Sequence, residues 1–444
     1  MDAPKISIQT AGSAGARGAR HSLKRLVPIL AVALLLRLAF LWQYQHDKPH
    51  QALGAIPFLF EPGNIAYSLA QGHGFSSPFR VETGPTAWMT PVYPLILAAI
   101  FRVFGVYTFQ AFLAAALLNI LFSVATCVPI YLIGRRFGVP SLATWLWAVF
   151  PNAILLPVES IWETSLTALL VASIIWLTLR MSGGATRRIW VVYSLLWGFA
   201  LMVNATMLAM LPFLLAWLLY ETRRVSGPAL ALCIILLSVT PWTIRNYLVF
   251  HAFVPLRSAL GLQLWVGNNE HAEDRSPGQL HPIDNPEERS QYIELGELRY
   301  MHGKLEDAVA YMTTHPRREL DLVRNRFIAV WTGGTPHPIE DFIRLHSFEF
   351  RLILLFNLFV AAGTAMGLLV LIWRGDARFY LLAPFPLVLP FAYYLTLASA
   401  RYRHPIDPVI MVLTAIAVRG GASAGPPSQV ITGTNLHKPT SDRY

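Results

Sequence analysis

Three groups of side chains in this chain could do chemistry. The first is Glu61, in the stretch Glu61-Pro-Gly-Asn-Ile-Ala-Tyr67-Ser-Leu-Ala-Gln-Gly72-His-Gly74-Phe75. An unperturbed glutamate titrates near ~4.3, so a carboxylate here is ionised at neutral pH and suits a general base that deprotonates an incoming hydroxyl, a role worth roughly 10²–10⁴ in rate. By spacing alone a solvated loop acid is the commoner case. The second group is Glu159 and Glu163, whose i, i+4 spacing predicts one shared helix face at the end of an apolar run. A carboxylate so close to hydrocarbon is costly and marks a functional candidate. The third is Arg401, Arg403 and His404, with Arg245 at the end of another apolar run. A guanidinium matches phosphate oxygens in a two-pronged fork, so a lipid phosphate is the expected ligand; snorkelling to headgroups is the alternative. Tyr67, Trp88 and Tyr93 lie in the same 43–110 segment as Glu61 and are candidate substrate contacts, whereas the other aromatics read as packing and belt residues. Arg37, inside the first apolar run, reads as snorkelling or helix pairing. His46 and His50 are four apart, but Lys48-Pro49 interrupts the helix they would need, so no metal site is expected. There is no Walker loop, no dinucleotide fingerprint and no Cys-x-x-Cys.

The elements that must position these groups are membrane helices. Of 444 residues, 55% are hydrophobic and only 14% charged, against roughly 25% charged in soluble domains. Apolar runs of about 20 residues recur, each long enough to cross the hydrocarbon layer. We expect about ten spans, near 26–42, 111–133, 141–157, 164–180, 189–203, 206–220, 228–242, 352–373, 379–398 and 406–418. The net charge of +10 does not point to nucleic acid: 15 of the 25 acidic residues lie between Arg245 and Phe350, and the basic residues elsewhere sit in short clusters between apolar runs. Arg135/Arg136, Arg187/Arg188, Arg223/Arg224, Arg374/Arg378 and Arg419 fall on one side if ten spans alternate, which makes that side cytoplasmic, with both termini. Cys127 and Cys233 lie in separate apolar runs and say nothing of redox compartment.

The domain reading follows. Residues 1–24 are a disordered cytoplasmic segment. Residues 25–242 form an N-terminal membrane module with a catalytic outer loop over 43–110. Residues 243–351 form a small helical extracytoplasmic domain, 352–418 the C-terminal membrane helices, and 419–444 a flexible tail. In the outer loop, the apolar stretch 91–105 is too short to span comfortably and is expected to lie at the interface or to re-enter. In the outer domain, Asn285-Pro286 caps a helix over 287–301, with further helices near 305–313 and from Pro316 to Trp331.

Several strings resemble the GT-C membrane glycosyltransferases, most closely bacterial members of glycosyltransferase family 39, with the protein O-mannosyltransferases and lipid A aminoarabinose transferases. They are Ala66-Tyr67, Leu69-Ala70, Gly72-His-Gly74-Phe75, Pro91, Pro94, Phe104-Gly105, Arg135-Arg136-Phe137-Gly138, Glu163-Thr164-Ser165-Leu166, Pro241-Trp242-Thr243-Ile244-Arg245-Asn246, Gly267-Asn268-Asn269 and Arg401-Tyr402-Arg403-His404-Pro405. Each string is weak alone; their order over residues 25–418 carries the likeness. The resemblance implies an all-α polytopic GT-C scaffold in the bacterial inner membrane. It implies transfer of a sugar from a polyprenyl phosphate to an acceptor hydroxyl at the outer face, by a single inverting displacement. Glu61 would be the base, and Glu163 or Glu159 the second acidic position. Arg401, Arg403, His404 and Arg245 would take the donor phosphate. The lipid-linked sugar is a co-substrate; the sugar, the acceptor and any divalent metal stay open. The family usually places Asp where this chain has Glu61-Pro62, and the extra methylene moves the carboxylate by about an ångström, a displacement able to cost ~10²-fold. A lipid or sugar flippase and a non-catalytic scaffold are the alternatives.

Overall fold

The computed structural model describes residues 11–272, 280–344 and 347–420, with side chains from Lys24 onward. The first ten residues of the expected flexible N-terminus and the expected tail from 421 lie outside the described residues. Among the described residues the chain is helical throughout, with one isolated bridge between Ser76 and Pro85.

The first helices are α1 (Ala11–His46), α2 (His50–Ala55) and α3 (Glu61–Ala70), then α4 (Val92–Phe104), α5 (Phe109–Ala125), α6 (Cys127–Arg136), α7 (Pro140–Val149) and α8 (Pro151–Glu159). The middle of the chain forms α9 (Thr164–Met181), α10 (Arg187–Val203), α11 (Leu211–Thr222) and α12 (Ser226–Phe250). Five helices follow, α13 (Leu260–Gly267), α14 (Pro286–Leu295), α15 (Glu297–Thr314), α16 (Pro316–Thr332) and α17 (Pro338–Arg344). The chain then returns through α18 (Phe348–Trp373), short pieces α19 (Phe379–Leu382), α20 (Pro384–Leu387), α21 (Phe391–Leu395) and α22 (Ala400–Arg403), and α23 (Asp407–Gly420).

Helix ends follow local chemistry. Thr108 caps α5 by accepting from Ala111 N at 3.1 Å. Asn285 accepts from the Glu287 and Glu288 amides and Pro286 opens α14, as the sequence predicts. The helix does not run on to 301, however. Gly296, at φ 76°, breaks it, and α15 then continues to Thr314. The positive φ is a conformation that glycine adopts freely.

Six helical stretches are long and apolar enough to cross a membrane: Lys24–His46, Phe109–Arg136, Thr164–Met181, Ala205–Thr222, Ser226–Phe250 and Phe348–Trp373. The bent pair α7–α8, with 45° between its halves, makes up to seven. This is a multi-pass membrane protein, and among the described residues six or seven stretches meet the length and composition of a span, where the sequence leads to an expectation of about ten. The three remaining predicted spans are shorter pieces: α10 has 17 residues, α23 has 14, and the 379–398 region is broken into short helices. At 1.5 Å per residue, α23 reaches only about 21 Å, short of a bilayer core of roughly 30 Å. It has another job. Val409 to Ile416 are all buried, so α23 is an internal helix packed against α18, α7, α6 and α9. Arg37 is likewise fully buried; it donates to Ser123 Oγ and to the carbonyls of Ala33, Ala148 and Trp147, tying α1 to α5 and α7. Helix pairing, not snorkelling, explains it.

Candidate active site

One cavity of about 540 Å³ opens at the end of the bundle where α3 and α9 begin. Its wall takes residues from the start of α3, the loop before α4, the α8–α9 break, the turn after α10, the segment 255–263, the turn 281–284, α21 and α22. The volume falls in the range of small-molecule sites.

Glu61 stands in the first turn of α3, behind an extended Phe60 and ahead of Pro62. The predicted loop acid is thus a helix-terminal one, at the end where N–H groups point outward and favour an anion. Its side chain is almost buried (8% exposed) and its Oε1 lies 3.3 Å from His281 Nε2. Burial pulls the His281 imidazole below its ordinary range, against the opposing pull of Glu61, Asp284 and Glu288. The loop that follows α3 is held to it by Ser68 Oγ to Ser76 Oγ at 2.6 Å and by Asn64 Nδ2 donating to Pro78 O at 3.0 Å.

Glu163 enters the same cavity from the other side. It precedes α9, where its carbonyl accepts from the Thr167 amide and hydroxyl, each at 2.8 Å. Its Oε1 accepts from Asn204 Nδ2 at 3.4 Å, and its Oε2 is buried with no hydrogen-bond partner among the described residues. Burial raises the Glu163 carboxyl above its ordinary range; Arg401 and Arg257 pull it down, and Glu61 pushes it up. Glu159 does not share its helix face. The chain breaks between α8 and α9, with Ser160 extended at φ −126°, so the two carboxylates sit on different helices. Pro157, inside the last turn of α8, withholds a helical N–H just before that break. Glu159 is exposed and does not line the cavity.

The basic residues divide. Arg401 lines the cavity with its guanidinium 4.0 Å from the centre of the Trp162 ring, and donates to Tyr402 OH at 3.2 Å. The remaining prongs of its fork have no protein acceptor among the described residues. Arg257, which sequence reasoning did not single out, also lines the cavity and has no acceptor among the described residues. No spacing signal could have found it; only the fold brings 257 to 401. Arg403 and His404 lie outside the cavity wall and are fully buried. Arg403 Nε donates to Asp407 Oδ1 at 2.8 Å, with further bonds to Val330 O at 3.1 Å and to Asn357 Oδ1. His404 meets Asp407 Oδ2 at 3.1 Å and stacks on Trp147. Arg245 straps the loop instead, donating to Phe75 O and Thr86 O, each at 2.7 Å.

Of the three aromatics, Trp88 lines the cavity. Tyr93 is buried away from it and donates to Asn119 Oδ1 at 3.2 Å; Tyr67 is largely exposed and stacks on Tyr107. Among the described residues no three of His, Cys, Asp and Glu gather as metal ligands.

No protein-family model matches the chain, and no curated protein matches it. Solved structures do. The Archaeoglobus fulgidus oligosaccharyltransferase AglB, in complex with an inhibitory peptide and a dolichol-phosphate, superposes with TM-score 0.54 at 15% identity over 89% of this chain and 50% of that one. The Archaeoglobus fulgidus oligosaccharyltransferase with Zn and sulfate gives TM-score 0.51 at 14% identity, covering 89% and 48%. The apo form gives 0.51 at 12%, covering 88% and 50%. The chain spans about half the length of these structures, and at such identities the likeness is one of fold. The class is therefore a multi-pass membrane protein whose fold is similar to that of these oligosaccharyltransferase structures.

Proposed function

We propose that this protein is a membrane glycosyltransferase that moves a sugar from a polyprenyl-phosphate donor to an acceptor hydroxyl at the outer face of the bacterial inner membrane. The observation that carries the reading is one cavity holding a carboxylate at a helix N-terminus, Glu61, and two guanidinium groups free to take a phosphate, Arg401 and Arg257. The fold shared with an oligosaccharyltransferase solved with dolichol-phosphate supports a lipid-linked donor.

The reaction is a single displacement with inversion. Glu61 takes the proton of the acceptor hydroxyl as its oxygen bonds to the anomeric carbon. The bond from that carbon to the phosphate oxygen breaks, and the electron pair leaves with the polyprenyl phosphate. Arg401 and Arg257 face the charge that develops there, the kind of preorganised stabilisation that lowers barriers most. The phosphate is a weak base, so its departure needs no strong general acid. Arg403, His404 and Arg245 take structural places in this scheme. Trp88 offers an apolar face to the sugar. Glu163, which holds its proton above the ordinary range, supplies a hydrogen-bonding carboxyl on the opposite wall.

The test uses purified protein in lipid nanodiscs with a panel of polyprenyl-phosphate sugars, mannose and pentoses among them, and follows release of polyprenyl phosphate. Wild-type release, lost by about 10² or more in Glu61→Gln with donor binding kept, is the expected result. Equal release from both proteins removes Glu61 as the base. No release with any donor turns the reading toward a flippase or a scaffold.

A further inference from the structure

His281 belongs to none of the motifs of the sequence, and 220 positions separate it from Glu61. The fold brings the two together and fixes the proton on the ring. The backbone N–H of Ile283 donates to His281 Nδ1 at 3.2 Å. A backbone N–H only donates, so Nδ1 must carry a lone pair, and the single proton of the neutral ring is on Nε2. That nitrogen lies 3.3 Å from Glu61 Oε1, within ion-pair distance and about 0.1 Å beyond the usual N–H···O range, so a small turn of the carboxylate brings it into donating distance. A second ring proton would sit on Nδ1, against the Ile283 N–H, so both this bond and burial oppose the imidazolium.

The ring has little freedom to turn. Phe79 and Trp88 meet it edge-on, with centroids 5.7 and 5.4 Å away. The turn that carries it is held as well: the amides of Asp284 and Asn285 both donate to His281 O, at 3.0 and 2.9 Å. Arg289, in α14, donates to Pro282 O and Ile283 O. The capped start of α14 therefore sets where the imidazole stands.

We infer that His281 is a positioning residue, whose Nε2–H holds Glu61 Oε1 and so leaves Oε2 facing the acceptor hydroxyl. The inference rests on the reading of Glu61 as the base. Oε1 is the Glu61 oxygen that lies against His281, which leaves Oε2 as the one free to take the proton. The neutral ring keeps donating after that transfer, because the neutral carboxyl still offers Oε1 as an acceptor. A glutamate has one more rotatable bond than an aspartate, and a fixed donor on one oxygen removes that freedom. A misplacement of about 1 Å at a reacting group is able to cost ~10²-fold.

The test compares His281→Leu with His281→Gln in nanodiscs. Gln keeps a neutral donor where Nε2 stands, whereas Leu fills similar volume without one. We expect kcat to fall about 10- to 100-fold in His281→Leu with donor KM within about twofold of wild type, and His281→Gln to recover most of the loss. Unchanged kcat in His281→Leu overturns the inference. So does an equal loss in both variants with donor binding kept, which would mean packing rather than donation. A readout independent of turnover separates this from the fate of the transferase reading. Solid-state NMR of 13C,15N-histidine-labelled protein, with the His281 signals assigned by their loss in His281→Gln, reports the ring's tautomer. The Nε2–H tautomer, with signals that move in Glu61→Gln, supports the inference even if no donor is turned over. An Nδ1–H or doubly protonated ring, or signals blind to Glu61→Gln, overturns it.

Discussion

Arg401 and Arg403 stand two positions apart in one short string, and in sequence they have equal claims on a phosphate. Burial separates them: Arg403 points inward to Asp407 and Asn357, Arg401 outward over Trp162. The direction of a side chain on a one-turn helix is set by what packs against it, and of the elements around Arg403 only α23 is a neighbour in sequence; α16 and α18 come from far along the chain. Glu61 and Glu163 were legible as candidates because their types, and for Glu163 its place at the edge of an apolar run, hold before folding. His281 and Arg257 were not, since each stands alone in its stretch and acquires partners only through the fold. Glu163 also gives a pH prediction. Its carboxyl is raised above the ordinary 4.5 chiefly by burial. As pH rises, the unfolded chain releases this proton first. The contribution to stability is therefore full below the ordinary value and is lost as pH climbs through the folded one. Glu163→Gln, neutral throughout, lacks that slope. Thermal unfolding in nanodiscs should show the variant gaining on wild type between pH 4 and pH 7. A difference flat or falling over that range would mean that Arg401 and Arg257 outweigh burial.

Between elements, the decisive joint is the one that fastens the loop over 84–90 to the helices of the 243–351 region. Glu297 opens α15 just beyond the Gly296 break, and that break aims its carboxylate back toward the loop. It accepts from Ala87 N at 2.8 Å, Ser258 Oγ at 2.6 Å, and Thr86 Oγ1 and Tyr292 OH at 2.5 Å each. Four donors from three segments thus converge on one buried carboxylate. Neighbouring Trp88 forms a wall of the cavity, so the joint also sets the shape of the site. The sequence foretold a helix running through 296, and such a helix could not make this turn. A glycine inside a polar helical pattern does not declare a break until its neighbours need one. Glu297→Leu leaves the Ala87 amide and two or three hydroxyls unsatisfied, at about 1–3 kcal/mol for a buried orphan donor. We expect lower thermal stability and faster hydrogen exchange over 84–90, read by mass spectrometry, with exchange in α9 unchanged. Uniform exchange across the chain would show that the joint is not local.

Across the whole molecule, the arginine clusters and the cavity lie at opposite ends of α9. Arg378 donates to the carbonyl of Arg136, Arg419 to that of Gly138, and Arg374 to that of Gly420 at 3.4 Å, so the ends of α6, α18 and α23 meet at one level. Glu163 marks the other level, 18 residues of helix away, or about 27 Å at 1.5 Å per residue. Reducing ten predicted spans to six or seven leaves this polarity intact, because the shorter helices still carry the chain between the same two levels: α23 does so as interior packing, and α10 with Val192, Leu195 and Phe199 exposed on its outer face. From the positive-inside bias we propose that the arginine end is cytoplasmic and the cavity outside. Labelling tests this directly. Cys127 is buried and Cys233 exposed, so both are first replaced by Ala. Glu82→Cys places a thiol on the exposed loop near the cavity, and Gly183→Cys places one at the exposed far end of α9, beside Arg187 and Arg188. In intact cells a membrane-impermeant maleimide should label position 82 at once and position 183 only after permeabilisation. The reverse pattern would turn the cavity toward the cytoplasm, where an acceptor would be met before export rather than after it, and the outer-face reaction would have to be abandoned.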